Sequence, residues 1–71
     1  MRMLGEQDAT VVEVTPIVLH GVTYYDVTVT FSDGIAEQAR LGPEGVPDDL
    51  QAGDRVLATR VANMVLSLRR P

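Results

Sequence analysis

Tyr24-Tyr25-Asp26-Val27-Thr28-Val29-Thr30-Phe31-Ser32-Asp33-Gly34-Ile35-Ala36-Glu37-Gln38-Ala39-Arg40-Leu41 alternates apolar and polar side chains up to Phe31, then breaks at Ser32-Asp33-Gly34. A period of two over β-branched and aromatic residues is the pattern of a strand with one face in a core. The break reads as a turn, and its length sets which face the next strand buries. A two-residue Asp33-Gly34 turn sets Phe31 opposite Ala36 and sends Gln38 and Arg40 inward. A three-residue turn with Gly34 in the left-handed region pairs Phe31 with Ile35 and buries Ile35, Ala39 and Leu41. The second register is expected, because it also sets Asp26 opposite Arg40 and Thr28 opposite Gln38. It leaves Glu37 pointing inward opposite Val29, where the carboxylate is expected either to reach the barrel rim or to meet Arg60, which shares parity with Val56 and Ala58 on its own strand.

Working outward, Val11-Val12-Glu13-Val14-Thr15 reads as a strand joined to the first by a two-residue turn at His20-Gly21. Counting back from that turn pairs Val14 with Val27 and Val12 with Val29. The same count gathers Ile17, Leu19, Val22 and Tyr24 on the opposite face of the hairpin arm. Pro16, which lacks an amide hydrogen, is expected at an edge or bend where the strand passes between sheets.

Gly42 to Gly53 is broken by prolines and glycines. Asp48-Asp49-Leu50-Gln51 resembles a capping box, so one helical turn is expected near residues 47–51, with Leu50 plugging the barrel end. Two strands close the chain, Arg55 to Val61 and Met64 to Arg70 around Ala62-Asn63, with Met64, Leu66 and Leu68 inward and Val65, Ser67 and Arg69 outward.

Five short strands point to an all-β fold, a small closed or partly open barrel occupying residues 9–71, after a flexible N-terminal tail at residues 1–8. Leu50-Gln51-Ala52-Gly53-Asp54-Arg55-Val56, followed by a short hairpin, resembles the closing segment of OB-like and SH3-like barrels. That resemblance implies a barrel and leaves the choice between the two topologies open.

Length and composition bound what such a domain does. A chain of 71 residues with 45% hydrophobic residues folds around one small core, and cores of this size rarely supply more than about 3–5 kcal/mol without staples or a partner. There is no Cys and the one His is His20, so neither a disulfide nor a nucleophilic triad has its components. Glu44, Asp48, Asp49 and Asp54 lack the spacing of a calcium loop and read as solvated turn residues. Gly42-Pro43-Glu44-Gly45 has no Lys to hold a phosphate. No catalytic residue, metal or cofactor is therefore expected.

No apolar run reaches the ~20 residues of a spanning helix, and Met1 to Ala9 has no secretory pattern, so no membrane association and a cytoplasmic location are expected. The net charge is −4, unlike the basic footprint of a charge-driven nucleic-acid binder. All acidic residues lie at or before Asp54, whereas Arg55, Arg60, Arg69 and Arg70 follow it.

The expected role is a non-enzymatic interaction or assembly module, a homo-oligomer (a dimer first) or a docking protein, with Ile17, Leu19, His20, Val22 and Tyr24 as the interface. The alternative is an OB-like module that binds single-stranded nucleic acid on the outer face of its second and third strands through Tyr24, Thr28, Gln38 and Arg40.

Overall fold

Residues 4–71 are described by a computed structural model. β1 (Leu4–Leu19) runs 16 residues and is the spine of the molecule. It pairs antiparallel with β2 (Val22–Phe31) on one edge and with β4 (Arg55–Val61) on the other. β3 (Ala36–Leu41) flanks β2, and β5 (Met64–Arg69) flanks β4, giving one five-stranded sheet in the order β3-β2-β1-β4-β5. β3 and β5, the outer strands, come close to each other without a hydrogen-bonded ladder. A 3-10 turn at Pro43–Gly45 packs on β5 and β2 beside that seam. The fold is thus all-β, with a strongly curled sheet. No helix among the described residues is long and apolar enough to cross a membrane.

One strand serves two partners because its period is reset midway. Ladder partners step from Val11↔Val29 to Glu13↔Thr28, so Val12 is the extra residue of a β-bulge. Ala9, Val11 and Val14 therefore face the core side while Val12 turns out, with Val11 1% and Val12 51% exposed. The expected Val14↔Val27 pair is present, but Val11 rather than Val12 opposes Val29, because a count back from the turn presumes an unbroken repeat. The bulge, not Pro16, also marks the change of partner. Val11 N donates to Asp54 O (2.9 Å), and Gly53 N donates to Val11 O (2.7 Å), which ties the bulge to the approach of β4. Residues 4–8, expected as tail, run in β1 opposite β4, from Leu4↔Val61 to Asp8↔Leu57.

The β2–β3 turn has the three-residue form. Gly34 N donates to Phe31 O (2.9 Å) and Phe31 N to Ile35 O (3.0 Å), with Gly34 at φ 83°. Asp33 Oδ1 accepts from Ile35 N (2.9 Å), which holds the bend. Asp26↔Arg40, Thr28↔Gln38 and Val29↔Glu37 follow from it. Leu41 is buried as expected, whereas Ile35 is 57% exposed; it precedes β3 at the mouth of the sheet, where no strand covers it.

A second bulge corrects the expected facing of β5. Partners step from Thr59↔Ser67 to Arg60↔Val65, leaving Leu66 extra. Val65 and Leu68 point in, while Met64 and Leu66 are exposed. This agrees with β4, whose inward Ala58 and Arg60 oppose Leu68 and Val65. The helical turn also lies earlier than residues 47–51. Pro43 presets the backbone at its first position, whereas Asp49 takes φ 57° and ends any helical path there. Asp54 Oδ2, not Asp48, accepts the Gln51 amide (2.9 Å).

Candidate functional site: the hairpin arm

The buried core ends before the arm begins. Its members on β1 and β2 are Ala9, Val11, Val27, Val29 and Phe31, with Val14 and Tyr25 packed against it as the last contributors toward the tip. β4 leaves β1 at Thr10↔Arg55 and β3 leaves β2 at Tyr25↔Leu41, so residues 16–24 continue as a two-stranded ribbon. The molecule measures 39 Å along its longest axis against 24 and 19 Å across.

His20 at φ 52° and Gly21 at φ 77° form the two-residue turn at the tip. Positive φ at both central residues is the type I′ arrangement, whose twist suits a hairpin. Leu19↔Val22 and Ile17↔Tyr24 are directly opposed pairs, and by strand parity both lie on one face. Ile17 and Tyr24 are half-buried, whereas Leu19 and Val22 stay exposed. Val18, on the core side of the ribbon by strand parity, is 68% exposed because the core has already ended. The sequence signal that reveals it is strand length: β1 and β2 outrun both flanking strands. The arm thus displays aliphatic side chains on both faces, most openly at its tip.

Its edges are less available than its faces. Leu19 and Val22 flank the tight turn and so exchange both backbone bonds, and alternation carries that character to Ile17 and Thr15. Val14, Pro16 and Val18 therefore turn their backbone toward the open edge, where Pro16 offers no N–H. Proline at the centre of a free edge obstructs strand addition.

The alternative surface is also assembled. Tyr24, Thr28, Gln38 and Arg40 share the outer face of β2 and β3. Arg40, however, makes a two-pronged contact with Asp26 (2.8 and 3.1 Å). Hydrogen bonding from Arg40 holds the Asp26 carboxyl below its ordinary range, and the same contact raises Arg40. Arg55, Arg60, Arg69 and Arg70 likewise each face an acid, namely Asp8, Glu37, Glu6 and Asp54. Glu13, Asp33, Glu44, Asp48 and Asp49 make no ion pair among the described residues, so the uncompensated charge of the described residues is acidic.

Glu37 does meet Arg60, and both side chains are mostly buried. Arg60 also donates to Gln7 Oε1 (2.6 Å), a partner brought in by the β1–β4 ladder, and lies 4.5 Å from the Phe31 ring centroid. Glu37 Oε2 and Arg60 Nε have no hydrogen-bond partner among the described residues. The cluster sits inside the sheet's curl, where it joins β3 to β4 across the core. Among the described residues no group of three or more His, Cys, Asp or Glu is placed to hold a metal ion. No family model, curated protein or solved structure matches the chain.

Proposed function

We propose that this protein is a non-enzymatic assembly module that self-associates as a homodimer through the arm at residues 16–25, with Ile17, Leu19, His20, Val22 and Tyr24 as contact residues. The observation that carries the reading is the exposure of Val18, Leu19 and Val22 on a ribbon that extends past the core. Leaving such side chains in water forgoes about 1.5–3 kcal/mol each, a large fraction of what a core this small supplies. A symmetric partner recovers that burial, and Pro16 favours contact through faces over open-ended strand addition. The lack of Cys suits the reducing cytoplasm in which we place it. The test is mass by light scattering coupled to size exclusion. Leu19→Asp is expected to halve the native mass while leaving a folded monomer, because residue 19 lies outside the core. An unchanged mass overturns the reading.

One arrangement favours a second role. β1 shared by two hairpins, with β3 and β5 turned toward each other, is what an OB-like barrel short of closure would display, and such barrels bind single strands on the face of strands two and three. Tyr24, Thr28, Gln38 and Arg40 occupy that face. The Asp26 fork on Arg40 and the acidic remainder weigh against it. This role requires binding of a single-stranded oligonucleotide at low salt that Arg40→Ala abolishes; no binding there rules it out.

A further inference from the structure

The turn between β2 and β3 holds the chain's only Asp-Gly step, Asp33-Gly34. An aspartate carboxyl lies close in the covalent chain to the next amide nitrogen, and that nitrogen is least hindered when its own residue carries no Cβ. Ser32, Asp33, Gly34 and Ile35 are all exposed. Nothing lies within 4 Å of a Cβ placed on Gly34, so no neighbouring group obstructs closure of a ring there.

The bonds of the turn bear on both reacting groups. Asp33 Oδ1 accepts from Ile35 N (2.9 Å), which folds the carboxyl forward past the Gly34 nitrogen. A donor fixed on that oxygen stands where negative charge develops when the carboxyl carbon is attacked. Gly34 N donates to Phe31 O (2.9 Å), and this bond must open to free the nitrogen. It closes the end of a hairpin whose second strand is an outer strand of the sheet, where local opening is least costly.

We propose that Asp33 is a site of spontaneous covalent modification in the folded protein, isomerising to isoaspartate through a succinimide. Gly34 N bonds to Asp33 Cγ, and Oδ2 leaves as water, carrying the amide proton and one proton from solvent. Water then opens the imide. Addition at Cγ breaks the new bond and restores aspartate. Addition at the main-chain carbonyl carbon of Asp33 breaks its bond to Gly34 N, leaving Gly34 joined through Cγ and a carboxylate on Cα. The water lost on closure is regained on opening, so mass is unchanged and no oxidant takes part.

The product lengthens the main chain by one carbon inside a turn whose length sets the register of β3, and it withdraws the acceptor from Ile35 N. Asp26↔Arg40 and Val29↔Glu37 belong to that register, and it is the register in which Glu37 meets Arg60 across the core. A change at an exposed turn thereby reaches the interior.

The test is prolonged incubation of the folded chain at neutral pH, followed by peptide mapping with fragmentation that distinguishes isoaspartyl from aspartyl linkages. Isoaspartate is expected at residue 33, with Asp8, Asp26, Asp48, Asp49 and Asp54, none followed by Gly, remaining unchanged. Gly34→Ala is expected to abolish the signal even though it loosens the turn, because the added Cβ hinders the nitrogen. The isolated isoaspartyl form is expected to unfold at lower urea than the parent. Isoaspartate at residue 33 in the urea-unfolded chain and none in the folded one overturns the proposal, as does equal accumulation at the other aspartates or in Gly34→Ala. An unchanged urea midpoint for the isolated form overturns the transmission to β3.

Discussion

Glu37 and Arg60 show how much one residue's partner matters in a core this small. Both side chains are largely out of water, at 16% and 21% exposure, and each is tolerable because the other neutralises it. Removing one leaves a charge in a poor dielectric, which costs about 3 kcal/mol. Glu37→Ala is therefore expected to leave much of the protein unfolded at 25 °C. Glu37→Leu/Arg60→Met, which removes both charges, is expected to restore most of the stability, read as the midpoint of urea denaturation. Equal midpoints for the single and double variants would show that the pair does not act as a unit.

The exposed pairs act differently. Asp26 and Glu6 are held below their ordinary range first by hydrogen bonds from Arg40 and Arg69. A carboxyl depressed in the folded state binds fewer protons there than in the unfolded chain. Its contribution is thus present above the unfolded value near pH 4 and is lost as pH falls through the folded one. Stability is expected to decline below about pH 4, with a shallower acid limb in Asp26→Asn/Glu6→Gln. Because both groups are solvent-screened, the change in slope is small.

At the scale of elements, two bulges govern which side chains the strands bury. Val11→Ala is expected to cost about 2 kcal/mol by opening space in the core, whereas Val12→Ala changes the urea midpoint little. The reverse order would contradict the bulge at Val12. Gly34 stands at φ 83° with nothing within 4 Å of an added Cβ. Gly34→Ala therefore costs only the left-handed backbone, about 1 kcal/mol. Pro16→Val returns an N–H to the open edge of the arm and is expected to convert a defined oligomer into larger, polydisperse species in light scattering.

The turns were the legible part of this molecule. His20-Gly21 and Ser32-Asp33-Gly34 each have residues that tolerate positive φ at the required places, and the β2–β3 register, including the inward Glu37, follows from counting away from Gly34. The bulges were not legible. Val11 and Val12 are chemically identical, and Met64, Leu66 and Leu68 make a better apolar alternation than the Val65 and Leu68 that are buried. A bulge is set by where a neighbouring strand arrives, here through the bonds of Val11 to Gly53 and Asp54, and such long-range pairing leaves no local mark. The helical turn lies elsewhere for a related reason: Asp54, five positions beyond Asp49, supplies the acceptor for Gln51 N that an Asp48 capping box would supply.

For the molecule as a whole, the layout divides into a curled sheet that folds and an arm that reaches. The sheet buries valines, Phe31, Leu41 and Leu68. The arm contributes nothing to that interior beyond Val14 and Tyr25, yet it holds Ile17, Val18, Leu19 and Val22 in an ordered hairpin. The centre of its open edge is a proline, Pro16. The proposed self-association rests on that exposed, ordered arm.

Native mass measured across a dilution series bears on that statement most directly. The arm-mediated account predicts twice the chain mass at high concentration, falling to the mass of one chain on dilution, with Leu19→Asp at single-chain mass throughout. A wild-type protein that keeps single-chain mass at every concentration would contradict it.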